Sequence, residues 1–193
     1  MRVASPVAGA HRHHAHRRLA RRVLASHLWG SLTTYNFGVA ADKTQHLLWR
    51  LGSLPDAIIQ SADVVPLAGT NNLSADDTAI GIAAGLEEIV QEISRVAPDA
   101  GLHILAVPPC GENLEFRDHI RRHANALLGD RYRLELVETE QQLRARDGGR
   151  FVCYQEDNIH FSSQGYELLT NMVLSRIRDA RHKSARKLSR AAK

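Results

Sequence analysis

Leu102-His103-Ile104-Leu105-Ala106-Val107, closed by Pro108-Pro109, is the cleanest strand signal in the chain. The run is short and, His103 apart, aliphatic, and the two prolines after it cannot extend a hydrogen-bonded ladder. Helical periodicity lies on both sides of it. Before it, a helix is expected from a Ser74 cap to about Val96, with Ile80, Ile82, Ala83, Leu86, Ile89, Val90 and Ile93 as its inner stripe. After it, a helix from about Leu114 to Leu128 leads to an alternating strand, Tyr132 to Val137.

Further out the alternation continues. Leu19 to Trp29 repeats leucine and valine at helical spacing, Thr33-Thr34-Tyr35-Asn36-Phe37 reads as a short strand, and a helix starting at Ala41–Thr44 ends at Gly52. Ala62 to Ala68 is a second buried strand, awkward only at Pro66, whose missing N–H a central strand needs. Gly148-Gly149 marks a loop, Phe151 and Val152 follow, and Ser162 or Ser163 caps a last helix to about Ala180. Strands alternating with helices predict an α/β domain: a parallel sheet with helices on both faces, three layers deep. In such sheets the chemistry sits beyond the carboxyl ends of the strands, where Gly38–Asp42, Gly69–Asn72 and Asp157–His160 all fall.

The charge is unevenly spread. The 193 residues carry 25 Lys and Arg against 21 Asp and Glu, a net of +4. Residues 1–41 hold six arginines and no acid, and 181–193 hold six basic residues and no acid. The stretch 42–180 keeps 13 basic residues against 21 acidic, a net of −8. Neither basic end interleaves aromatic residues, so both read as solvated and nucleic-acid binding is not expected. His11, His13, His14 and His16 lack the cysteine or carboxylate partners of a metal site. Cys110 and Cys153 have no zinc or redox spacing and are expected reduced and structural, which favours a cytoplasmic location. No apolar run approaches the roughly 18 residues of a membrane span. Trp29 and Trp49 are expected to be core or packing residues. The divisions expected are a basic His/Arg-rich arm over 1–18, disordered or mistranslated, a domain over 19–180 and a basic tail over 181–193.

Asp157 precedes His160 by three residues on a loop, where a carboxylate can orient an imidazole and turn its other nitrogen toward a proton donor. Asn71 offers a side-chain amide and Ala41 a backbone N–H, the donors that an oxyanion requires. Three blocks carry a likeness: Asn36 to Thr44 with His46-Leu47-Leu48-Trp49-Arg50-Leu51 behind it, Gly69-Thr70-Asn71-Asn72, and Asp157-x-x-His160 with Gly165-Tyr166. In their order and spacing the chain resembles the SGNH (GDSL-type) hydrolase superfamily, nearest to the branch of the platelet-activating factor acetylhydrolase catalytic subunits. The resemblance covers about Leu19 to Arg178. It implies a flavodoxin-like sheet of order 2-1-3-4-5 and hydrolysis of small acyl esters, acetyl esters first among them, with no cofactor or metal. It implies His160 as base, Asp157 as its orienting acid, and Asn71 with Ala41 as oxyanion donors. The branch has glycine where Ala41 stands, so a positive φ there would strain the alanine. A homodimer is an assembly left open.

The front departs from the pattern. The family's first strand ends in Gly-Asp-Ser, about 25 residues before the glycine block, and here that place falls among His11 to His16. Ser31 sits too near the second block, Ser5 has too little chain before it for a strand, and Ser26 lies inside the expected helix. The nucleophile is therefore unassigned and the first, central strand is missing or replaced. Three readings stay open: a wrong frame or start at the front, a catalytically inactive SGNH-like binding protein, or a transit-like leader with a rearranged nucleophile.

Overall fold

The computed structural model describes residues 36–53, 63–133 and 135–191, with side chains as far as His182. The expected helix over Leu19–Trp29, the strand residues 33–35 and the serines at 5, 26 and 31 lie outside the described residues. Asn36 and Phe37 are described and are not in a strand.

The elements in chain order are α1 (Thr44–Leu51), β1 (Asp63–Val64), α2 (Thr70–Ser74), α3 (Ala79–Val96), β2 (Gly101–Leu102), β3 (Ile104–Leu105), α4 (Asp118–Arg131), β4 (Leu136–Val137), α5 (Glu140–Leu143), β5 (Arg146–Asp147), β6 (Arg150–Phe151) and α6 (Ser163–Ala191). β2 and β3 are separated only by His103 and act as one central strand. On one side His103 and Leu105 donate their N–H groups to Val64 O and Pro66 O at 3.0 and 3.1 Å. On the other, Ile104 and Ala106 donate to Glu135 O and Val137 O at 2.8 and 3.1 Å. Both pairings are parallel, Val64 opposite Leu102 and Ile104 opposite Leu136. Pro66 keeps its place by accepting only. Having no N–H to return, it ends the regular ladder at Val64.

Because side chains alternate along a strand, the sheet divides the core in two. Ile104, Ala106 and Leu136 pack with Leu51 of α1, Ile82, Leu86, Ile89 and Ile93 of α3, and Ala124 and Leu128 of α4. Leu105 and Val137 face the other way, onto Phe151, Tyr154, Phe161 and Leu169, Val173 and Ile177 of α6. Helices therefore cover both faces, the three-layer arrangement expected. β5 and β6 form an antiparallel hairpin whose two-residue turn, Gly148-Gly149, has φ of 54° and 82°, the positive pair that such turns demand.

Several expectations are corrected. The helix assigned to Ser74 onward is two helices: Ser74 is the last residue of α2, Asp76 turns left-handed at φ 61°, and Thr78 caps α3 by accepting the Gly81 N–H at 3.1 Å. Ile80 leaves the inner stripe and is 68% exposed, because it falls on the opposite side of α3 from Ile82, Leu86 and Ile89. Trp49, expected as a core or packing residue, is 75% exposed. The stripe of α1 runs through Thr44, Leu47, Leu48 and Leu51, and residue 49 points off it. α4 begins at Asp118 rather than Leu114, since Asn113, Leu114 and Arg117 all have positive φ. The strand expected over Tyr132–Val137 is regular only at Leu136–Val137. α6 continues past Ala180 to Ala191, for 181–191 contains neither glycine nor proline. Cys110 and Cys153 are both free and buried, and burial raises both thiol pKa values, which keeps the thiols protonated. Among the described residues no helix is long and apolar enough to cross a membrane.

Candidate active site

The loop that carries Asp157 and His160 is anchored at its base before it presents anything. Tyr154 and Phe161 close it as an antiparallel bridge, with rings 5.3 Å apart, and Gln155 N–H donates to His160 O at 2.8 Å. The buried Tyr154 hydroxyl donates to Pro109 O at 2.5 Å, fixing the loop to the end of the central strand. Ser162 caps α6, accepting the Gly165 N–H at 3.1 Å and donating to Val152 O at 2.6 Å. Gly165 is required by close approach: a Cβ there would stand 2.1 Å from Cys153 O.

Within that frame Asp157 uses both oxygens. Oδ1 accepts the backbone N–H groups of Ile159 and His160, each at 2.9 Å, and Oδ2 stands 2.7 Å from His160 Nδ1. Partial burial works to raise the Asp157 pKa, but the bonds from the His160 ring and from the two backbone donors outweigh it, and the net shift is downward. The carboxylate is thus held ionised, and the imidazole presents Nε2 on the side away from it. Asn158 between them takes φ 51°, a conformation that asparagine tolerates.

Asn71 and Ala41 meet in a second group. Gly69 starts α2 at φ 114°, where a Cβ would also stand 2.7 Å from Val107 Cγ2. The expected loop Gly69–Asn72 is therefore the first turn of a helix. From it Asn71 Nδ2 donates to Asp42 O at 2.9 Å, and this leaves the amide its second N–H. Asn72 is buried: Oδ1 accepts the Thr44 N–H at 3.0 Å, and Nδ2 donates to Thr44 Oγ1 and Asp77 Oδ2 at 3.0 and 2.8 Å. Asp42 is paired in turn with Arg50, which also reaches Phe37 O. These contacts set the turn Val39–Asp42, closed by the Asp42 N–H to Val39 O at 3.3 Å.

Ala41 occupies the third position of that turn at φ 64°, the left-handed region that disfavours any Cβ. An L-residue there costs about 1–2 kcal/mol. Ala41→Gly is accordingly expected to raise the unfolding free energy by about 1 kcal/mol, measured by urea denaturation.

The structure thus brings Asp157 to His160 and Asn71 to the Ala41–Asp42 turn. What joins the two groups is the loop between β3 and α4. Gly111 N–H donates to Asn158 O at 2.8 Å, and Arg117 Nη1 donates to Leu73 O at 2.7 Å. Below this loop lie residues that sequence reasoning passed over. Asn125 clamps Val107 by accepting its N–H at 2.9 Å and donating to its O at 3.0 Å. Arg121, only 1% exposed, bonds Asp118 and Glu140 and reaches Val107 O at 3.2 Å. Among the described residues no three His, Cys, Asp or Glu side chains gather closely enough to hold a metal ion.

This chain is similar to the Homo sapiens platelet-activating factor acetylhydrolase IB subunit alpha2, 33% identical over 148 residues that cover 72% of this chain and 62% of the relative. It is also similar to the Rattus norvegicus alpha1 subunit, 30% identical over 143 residues that cover 72% and 61%. The chain thus spans about three fifths of the length of these relatives. Among solved structures it resembles the lipase/acylhydrolase from Enterococcus faecalis, with a TM-score of 0.64 at 22% identity over 86% of this chain and 85% of that one. A member of the lipolytic protein G-D-S-L family from Veillonella parvula matches with a TM-score of 0.60 at 13% identity, over 81% and 85%. At such identities the likeness speaks for the fold. Family membership comes from the sequence profile, which matches from residue 5 to residue 168, starting ahead of the Asn36–Thr44 block; the chain belongs to the GDSL-like lipase/acylhydrolase family of SGNH hydrolases.

Proposed function

We propose that this protein hydrolyses small acyl esters, acetyl esters first among them, through a serine, His160 and Asp157. The observation that carries the reading is the Asp157 carboxylate, locked by two backbone N–H groups and 2.7 Å from His160 Nδ1. A carboxylate so held keeps Nδ1 protonated and leaves Nε2 to take a proton from a hydroxyl nucleophile, then return it to the leaving alcohol. As the carbonyl becomes tetrahedral its oxygen gains charge, and the second Asn71 N–H with the Ala41 N–H would receive it. The names of the acetylhydrolase relatives support the acetyl preference. The serine itself is unassigned.

The test is turnover of p-nitrophenyl acetate together with labelling by a fluorophosphonate probe. Labelling of wild type that is lost on boiling, with turnover abolished in His160→Ala, is expected. Turnover unchanged in that variant sinks the mechanism, and neither labelling nor turnover in wild type would favour the inactive binding protein instead.

A further inference from the structure

We infer that Arg117 is a positioning residue for this site: its guanidinium, through the loop 110–117, holds the Asn71 group in register with the His160 group. The inference rests on the hydrolase reading above. Arg117 Nη1 donates to Leu73 O at 2.7 Å and stands 2.9 Å from Asp76 Oδ1. Leu73 is two residues beyond Asn71 in a helix of one and a half turns, so a pull on its carbonyl moves the Asn71 amide with it.

At its other end the loop is equally committed. Phe116 N–H donates to Cys110 O at 3.0 Å, and Gly111 N–H donates to Asn158 O at 2.8 Å, between Asp157 and His160. Phe116 lies so close over Gly111 that a Cβ there would stand 2.6 Å from Phe116 Cβ, so the loop is one compact piece between the two groups. The backbone of Arg117 itself is left-handed, φ 48° and ψ 35°. Glycine or asparagine suits such a position better than arginine does, and what arginine brings is the side chain.

That mismatch supplies the experiment. Arg117→Gly removes the guanidinium and relaxes the backbone at once, so a stabilising role and a positioning role predict opposite things. We expect its thermal midpoint to equal or exceed that of wild type, while kcat for p-nitrophenyl acetate falls about tenfold and KM changes less than about twofold, as misplacement of reacting groups predicts. Arg117→Lys, which restores a cation and a donor, should recover part of kcat. Amide exchange should quicken in Arg117→Gly at both 70–74 and 157–160.

A kcat within about twofold of wild type, or exchange that quickens at 70–74 alone, overturns the inference. So does a loss of activity that tracks a loss of folded protein. Should His160→Ala retain full turnover, the hydrolase reading fails, and the inference falls with it. Loss of turnover in His160→Ala beside normal kcat in Arg117→Gly overturns this inference alone.

Discussion

Asp157→Asn is expected to lower kcat/KM for p-nitrophenyl acetate by about a thousand- to ten-thousand-fold, the scale known for removing the acid of such a triad without removing its geometry. The substitution is chosen for what it preserves. An amide at this position still offers an oxygen to the Ile159 and His160 N–H groups, which Oδ1 now accepts at 2.9 Å each, so the loop should keep its shape. Its NH2 group, however, would face His160 Nδ1 where Oδ2 now stands 2.7 Å away. Two donors cannot share that contact, so the ring must carry its proton on Nε2, the nitrogen that the reaction needs as a base.

The pH dependence has a definite sign. Desolvation raises the Asp157 pKa, the three hydrogen bonds lower it further, and the folded value lies below the ordinary one. The hold on His160 is therefore fully present above the ordinary carboxylate range and is lost as pH falls through the lowered value. Circular dichroism of the variant should match wild type. A kcat/KM within about tenfold of wild type would remove Asp157 from the mechanism.

Arg121→Ala should cost the most stability, about 3 kcal/mol, and lower Tm by roughly 6–12 °C in a chain of this size. Arg121 is buried beside two carboxylates and the end of the central strand. Without it Asp118 and Glu140 keep Arg122 and Arg144, but both of those are more open to water, and the Val107 carbonyl loses a donor. The estimate is the lower end of what breaking a buried pair costs, since the cluster is only partly disbanded. Burial raises the pKa values of both acids, yet the bonds and charges of the arginines prevail, and both are lowered. Their contribution is complete at neutral pH and fades as pH falls through those lowered values. Wild type should therefore lose stability on acidification more steeply than Arg121→Ala does. A Tm change below about 2 °C would show that the cluster is dispensable.

What could be read in advance was whatever is local. Asp157 and His160 are three residues apart and bond within their own loop, so residue types and spacing disclosed the pair. Leu102 to Val107 disclosed the central strand because a strand buried on both faces is apolar at nearly every step, and only His103 interrupts the run. The alternation of strands and helices then gave the layers. What stayed hidden depends on partners far away in sequence. Asn72 is 28 residues from Thr44, Arg117 is 44 from Leu73, and Arg121 is 19 from Glu140, so none looks different from a surface residue in its own window. Backbone geometry hid the rest. Nothing in the residue types of Leu114 or Arg117 announces a left-handed conformation, and those two with Asn113 moved the start of α4 by four residues. Trp49 was expected to pack, but the helical phase of α1 turns it to solvent.

One contact sets an order of events as the chain is made. Arg181 of α6 donates to Asp63 at the start of β1 at 2.8 Å, across 118 residues. At ribosomal rates of about 5–20 residues per second, Asp63 waits roughly 6–24 s for that partner. The sheet face formed by Leu105 and Val137 is likewise uncovered until α6 arrives, an interval in which a nascent chain is open to chaperones and to misassociation. The Asn71 latch closes early from segments already made, while the His160 loop is synthesised immediately before the helix that seals the domain. The His160 loop and the cover of the second sheet face should therefore arrive together, once α6 has been made.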